Sequence, residues 1–175
     1  MNIKTNLVGA YNLSNILAAV CIGKYFKIDD EKIKKAIENY HPSNSRSQLI
    51  QHNSNSIILD AYNANPGSMK AAIENFASMK GDKKILLLGS MMELGEESKK
   101  EHAAIISLID QYRWYAVVLV GNNFKEINHH YIHYDNAVQV RDWLKKEGIA
   151  NAQILIKGSR SMQMEKVLDM PLNKF

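Results

Sequence analysis

The chain has 175 residues, 46% of them hydrophobic, and 22 Lys and Arg against 18 Asp and Glu give a formal charge of +4. That length suits one domain, or one domain with a fragment of another, and the apolar share supports a buried core, which excludes a disordered chain. The basic residues are scattered, no apolar run is long enough for a bilayer, no charged-then-apolar leader opens the chain, and the one cysteine, Cys21, has no internal disulfide partner.

A soluble cytoplasmic protein is therefore expected, with no nucleic-acid or membrane partner, and the charge balance is compatible with an anionic small substrate. Cys21 lies in an apolar run and reads as a buried thiol. Residues 9 to 26 carry Leu13, Ile16, Leu17 and Val20 at helical intervals, which predicts an amphipathic helix with Asn12 and Asn15 together on its other face. Two carboxamides there can read a heteroaromatic base, or simply form a solvated face or a cap. Asp29-Asp30-Glu31 places acid in the first turn of a second helix, with Ile33, Ala36 and Ile37 as its buried side, ending near Tyr40. His41-Pro42-Ser43-Asn44-Ser45 breaks the pattern and reads as a linker. Two helices are too little for a domain, so residues 1–45 read as the tail of a larger one, and 46–175 as a domain of their own.

Residues 46–51 and 56–59 predict neighbouring strands, the second ending in Asp60. Asn65 can cap a helix with Pro66 at its first position, and Met69, Ala72, Ile73, Phe76 and Ala77 give that helix an apolar face. Lys84 to Gly89 is a buried strand, followed by the loop Ser90 to Gly95 and a helix bearing His102, Ile105, Ile106 and Ile109. Next come a strand at 116–120, a polar Gly121-Asn122-Asn123, a short apolar segment near Ile132, and a helix capped by Asp135 with Ala137, Val140 and Leu144. A strand at 153–156 leads into Lys157-Gly158-Ser159-Arg160 and a terminal helix carrying Met164, Val167 and Leu168.

Strands alternating with helices predict an α/β fold, a Rossmann-like, mainly parallel sheet with helices on both faces, preceded by the two amino-terminal helices. Right-handed crossovers would gather the loops 60–68, 89–95, 121–123 and 157–160 on one edge. Such an edge, beside helix N-termini, is where open α/β sheets bind ligands, although Asp and Asn also serve as plain turn residues.

Several signatures are absent. Gly23-Lys24 is preceded at the required spacing by Ala18 and followed by Tyr25, so there is no P-loop, and no Gly-x-Gly-x-x-Gly follows a strand. His129, His130 and His133 have the composition of a metal cluster but no carboxylate frames them. Lys157 and Arg160 flanking Gly158-Ser159 could hold a carboxylate or phosphate, or form a solvated basic loop. An arginine such as Arg46 can stack on a nucleotide, and an aspartate such as Asp60 can accept both hydroxyls of a ribose.

Together, four strings resemble the Mur ligases, in the family's order: Gly9-Ala10-Tyr11-Asn12-Leu13-Ser14-Asn15-Ile16-Leu17-Ala18-Ala19, Asp60-Ala61-Tyr62-Asn63-Ala64-Asn65-Pro66, Leu88 to Gly95, and Lys157-Gly158-Ser159-Arg160-Ser161-Met162-Gln163-Met164-Glu165. The second and fourth are most similar to members that add D-alanyl-D-alanine to UDP-N-acetylmuramoyl-tripeptide in peptidoglycan synthesis. The resemblance implies a three-domain, ATP-dependent amide ligase. This chain would be the end of the central ATPase domain, residues 1–45, followed by the C-terminal Rossmann-like domain, residues 46–175. The P-loop, the magnesium ligands and a modified lysine would lie in the rest of the central domain, leaving this piece inactive alone and without a catalytic or metal residue of its own.

In the family, ATP converts the peptide carboxyl to an acyl phosphate, which the dipeptide amine attacks. The resemblance assigns Asn12 and Asn15 to the adenine, Arg46 and Asp60 to the rest of the nucleotide, and Asn63, Asn65, Ser68, Lys157, Ser159 and Arg160 to the incoming dipeptide. A monomer is expected. Ser90 stands where the family commonly has aspartate, and Gln163 where it commonly has arginine. Two other readings remain: a freestanding Rossmann-like binding module, and an amide ligase of the folylpolyglutamate type.

Overall fold

The computed structural model describes residues 2–168. Helices α1 (Leu13–Tyr25) and α2 (Asp30–Asn39) come first, α1 being entered through a 3-10 turn at Ala10–Asn12. Then follow β1 (Gln48–His52), β2 (Asn55–Asp60), α3 (Pro66–Ser78), β3 (Lys84–Gly89), α4 (Ser98–Ile109) and β4 (Ala116–Val120). A short α5 (Asn122–Lys125), β5 (Ile132–Tyr134), α6 (Ala137–Lys146) and β6 (Gln153–Lys157) complete the alternation. The sheet runs β1-β2-β6-β3-β4-β5; β1 pairs antiparallel with β2, and every other neighbouring pair is parallel.

The inner strands β2, β6, β3 and β4 carry unbroken apolar runs because both faces of the sheet are covered there, whereas the edge strands β1 and β5 do not. On one face Ile58, Leu86, Leu88, Leu119 and Leu155 meet Met69, Ile73 and Phe76 of α3 and Ile105 and Ile109 of α4. On the other, Ile57, Ile85, Leu87, Val118, Ile154 and Ile156 meet Ala137 and Val140 of α6 together with Met164 and Val167. Each such Leu, Ile, Val, Met or Phe side chain contributes about 1.5–3 kcal/mol by leaving water. The entry to α3 follows its sequence: the Ser68 amide donates to Asn65 Oδ1 at 2.8 Å, the Asn65 amide donates to Ser68 Oγ at 3.1 Å, and Pro66 opens the helix.

Elsewhere local competition changes the outcome. Asn136, not Asp135, caps α6, its carboxamide oxygen accepting from the amides of Val138 and Gln139 at 3.1 Å each, while the Asp135 amide donates to the Gln139 side chain. The expected terminal helix is a pair of 3-10 turns, Arg160–Met162 and Met164–Val167, broken by Gln163 in the left-handed region at φ 48°. Three residues per turn still send Met164 and Val167 into the core.

The stripe of α1 does not face a core. Leu13 and Leu17 are 57% and 52% exposed, Ile16 and Val20 are half-buried, and Gly23 is the buried residue, packed so tightly on Ile33 that a Cβ would lie 2.8 Å from it. Of the expected inner side of α2, Ile33 is buried, Ile37 half-buried and Ala36 exposed. Cys21 is exposed rather than buried, because α1 packs on α2 and gives its remaining sides to solvent. Among the described residues no helix is long and apolar enough to cross a membrane.

Candidate functional site

Parallel pairing sets Asp60 opposite Lys157, Lys157 opposite Leu88, and Gly89 opposite Val120. The loops 60–68, 89–95, 121–123 and 157–160 therefore leave the same edge of the sheet from neighbouring strands. They are stitched together there. The Ser90 amide donates to the Val120 carbonyl at 2.9 Å, and the Ser159 amide to the Ser90 carbonyl at 3.3 Å. Gly158 is required by this closeness, since a Cβ would fall 3.0 Å from Gly89 Cα and 2.7 Å from Met164 Cγ.

At the centre of the edge Lys157, 2% exposed, donates from Nζ to Asp60 Oδ2 at 2.5 Å and to the Asn63 carbonyl at 3.3 Å. Asp60 Oδ1 accepts the Ser47 amide at 3.0 Å. Ser47 holds a left-handed φ of 48°, and its hydroxyl shares a 2.9 Å hydrogen bond with that of Tyr11. Burial raises the pKa of the Tyr11 phenol and the Asp60 charge adds to this, outweighing the Ser47 hydrogen bond, so the hydroxyl stays neutral. A polar relay thus runs from the amino-terminal segment, through the linker, to the ends of β2 and β6. Beside it the exposed Arg46 lies over the Tyr62 ring, Cζ 3.9 Å from the centroid, and the Tyr62 amide donates to the Ser45 carbonyl at 3.2 Å.

The other sequence candidates are placed as follows. Asn12 is buried and donates to the Val8 carbonyl at 2.7 Å; Asn15 is exposed, donates to Asn12 Oδ1 at 3.2 Å, and lines an apolar cleft of about 330 Å³ between α1 and α2. The two carboxamides are thus joined on one face. Asn63 turns its Oδ1 back to the Ala64 amide at 2.8 Å, and Asn65 and Ser68 spend their side chains on the α3 cap. Ser159 is buried, its hydroxyl 3.2 Å from that of Ser161. Arg160 is 63% exposed along its side chain and donates from Nη1 to Glu165 Oε1 at 3.1 Å. The two cations of the 157–160 loop are therefore not a joint anion clamp: Lys157 is committed inside, and Arg160 faces outward.

His129 and His133 line a separate cleft, and the His133 ring donates from Nε2 to the Gly121 carbonyl at 3.0 Å. Among the described residues no group of three or more His, Cys, Asp or Glu is placed to hold a metal ion.

Sequence reading gives no role to Tyr11, Ser47, Tyr62, His102 or Glu165. His102 is buried on α4, donates from Nδ1 to the Ser98 carbonyl at 2.7 Å, and accepts the Met91 amide on Nε2 at 3.0 Å, pinning the 90–95 loop. Tyr11, Tyr62 and Glu165 each lie inside one of the quoted strings, which is the signal that could have drawn attention to them.

Comparison with known proteins gives this edge a context. The Mur ligase, glutamate ligase domain family matches residues 45–160. The chain is 35% identical over 173 residues to the UDP-N-acetylmuramoyl-tripeptide--D-alanyl-D-alanine ligase of Bacillus subtilis (strain 168), covering 93% of this chain and 38% of that one. It is 34% identical to the ligase of the same name from Escherichia coli (strain K12), covering 93% and 37%. The crystal structure of MurF ligase from Thermotoga maritima in complex with ADP shares the fold, with a TM-score of 0.79 at 24% identity over 94% of this chain and 38% of that one. The chain thus spans little more than a third of the relatives it matches. With the family model matching residues 45–160, well over half of the chain, the chain belongs to the Mur ligase family.

Proposed function

We propose that residues 46–175 are the C-terminal domain, and residues 1–45 the tail of the central ATPase domain, of an ATP-dependent ligase. That ligase joins D-alanyl-D-alanine to UDP-N-acetylmuramoyl-tripeptide in the cytoplasm, acting as a monomer. The observation that carries this is the gathering of four polar loops on one sheet edge around the Asp60–Lys157 pair, in a chain 35% identical to a ligase of that name. The exposed apolar side chains of α1 support the domain division: Leu13, Leu17, Ile22, Tyr25 and the adjoining Phe26 are each more than half exposed, as expected of a helix that a domain body would cover.

Asn12 and Asn15 face the adenine, with the cleft beside Asn15 as its seat. Arg46 and Asp60 contact the remainder of the nucleotide. Both Asp60 oxygens are engaged, but each retains a lone pair for a ribose hydroxyl, so the fit is preserved. The loops holding Asn63, Asn65, Ser68, Ser159 and Arg160 face the dipeptide. Because the side chains of Asn65 and Ser68 cap α3, they act by fixing loop shape, while Lys157 acts by fixing Asp60. Magnesium and the phosphates are held by the preceding domain. Closure of this domain over the reacting carboxyl shields the acyl phosphate from water and presents the amine.

The full-length reading frame, expressed and assayed for phosphate release with ATP and UDP-N-acetylmuramoyl-tripeptide, tests this. Release that depends on D-alanyl-D-alanine supports the proposal. Release that depends instead on glutamate and a folate indicates the folylpolyglutamate type, and a reading frame without an upstream P-loop indicates a freestanding binding module.

A further inference from the structure

We propose that Glu165 is a positioning residue that sets the Arg160 guanidinium to grip the free α-carboxylate of the acceptor peptide; this rests on the assignment above of the 157–160 loop to the acceptor. Glu165 is 4% exposed, and only one of its oxygens is used: Oε1 accepts Arg160 Nη1 at 3.1 Å, whereas Oε2 is buried with no hydrogen-bond partner. A pair built for stability would use both oxygens in a bidentate fork. Leaving a buried carboxylate oxygen unpaired is unfavourable, so this geometry is explained by what it does to Arg160 rather than by what it adds to the fold.

It leaves most of the guanidinium free. The side chain of Arg160 is 63% exposed, and one of its five N–H groups is spent on Glu165. The contact spans five residues across Gln163, whose left-handed φ of 48° reverses the chain between the two 3-10 turns and brings the carboxylate back beneath the arginine. Met164, packed against Gly89 and Gly158, anchors this turn to the sheet edge. With Lys157 buried against Asp60, the outward-facing cation of this loop is Arg160. The acceptor's amine reacts and its α-carboxylate does not, so a planar fork held in place from below is suited to fix the unreactive end and hence the direction of the amine.

The test is steady-state kinetics on the full-length ligase with D-alanyl-D-alanine and with its C-terminal amide. Wild type is expected to favour the dipeptide over its amide. Arg160→Met should raise KM for the dipeptide about tenfold or more, lower kcat as the amine loses its alignment, leave the ATP KM within about twofold, and abolish the discrimination against the amide. Glu165→Gln should raise the same KM by roughly threefold to tenfold, and the double variant should be no worse than Arg160→Met, since both changes remove one function. If Arg160→Met leaves the dipeptide KM unchanged, the loop does not bind the acceptor, and the site assignment falls together with this inference. If Arg160→Met behaves as stated but Glu165→Gln has no effect, or multiplies with it, the site survives and the positioning role is overturned. A Glu165→Gln enzyme that loses thermal stability and worsens kcat and both KM values alike shows a structural residue, and equally overturns it.

Discussion

Replacing Lys157 with methionine isolates the interaction at the centre of the sheet edge. The substitution keeps the length of the apolar stem inside the core but strips Asp60 of its cation. Removing one partner of a buried ion pair costs about 3–5 kcal/mol, because the remaining charge is left uncompensated. Asp60 is 14% exposed along its side chain and retains the Ser47 amide, which places this site near the lower bound, about 3 kcal/mol. The Asn63 carbonyl also loses its donor, adding about 1 kcal/mol. For a chain of this size the sum of about 4 kcal/mol corresponds to a fall in Tm of roughly 8–16 °C. Urea denaturation at pH 7 measures it directly. Lys157→Met combined with Asp60→Asn should be less destabilised than Lys157→Met alone, since the stranded charge is gone and the Asn carbonyl can still accept from Ser47. A loss below about 1 kcal/mol, the range of exposed pairs, or simple additivity in the double variant, would refute the claim that this pair is buried and coupled.

His102 links the 90–95 loop to pH. Burial, outweighing the Ser98 carbonyl that favours the cation, holds its pKa below the usual value near 6.5. Between the folded and unfolded values the unfolded chain binds the proton and the native one does not, so stability is complete above about pH 6.5 and declines as pH falls below it. His102→Gln should flatten that decline in urea midpoints between about pH 5 and 7, leaving the share of His129, whose pKa burial also lowers; an unchanged slope would exclude His102 as its source. Two glycines near the same edge should respond in opposite directions. Gly158→Ala forces a Cβ against Met164 and the Gly89 backbone and should cost about 1–3 kcal/mol, whereas at Gly67, in the first turn of α3, the nearest atom is Asn65 Oδ1 at 3.7 Å, and Gly67→Ala should stabilise by about 0.5–1 kcal/mol in thermal denaturation.

How far the sequence reveals this molecule depends on how local each cause is. Ile85 to Leu88 and Val117 to Val120 are legible as strands because a sheet covered on both faces demands unbroken apolar runs. The α3 entry is legible because Asn65, Pro66 and Ser68 carry their own capping geometry. Where two neighbours compete, as Asp135 and Asn136 do for one helix start, spacing alone does not decide. The periodicity of residues 164–168 fits an α-helix and a 3-10 turn equally well over so short a span. The stripe of α1 misleads for a different reason: an apolar face states that it will be covered, not by which part of which chain.

The candidate site divides along the same line. Asp60 and Lys157 stand out as loop residues, but their pairing spans 97 positions and follows only from the strand order. Tyr11 meeting Ser47 over 36 positions, and the Ser47 amide meeting Asp60, arise from a linker conformation that no periodicity encodes.

Ser45 and Ser47 both sit at left-handed φ, and each of residues 45–47 is fastened: Ser45 to the Tyr62 amide, Arg46 to the Tyr62 ring, Ser47 to Asp60. A swivel cannot be located in a segment riveted at every step. Any reorientation of the helical hairpin against the sheet must be borne by residues 41–44, ahead of the rivets. The hydroxyl contact between Tyr11 and Ser47 then acts as a catch of about 0.5–1.5 kcal/mol, weak enough to release without disturbing the body it closes upon.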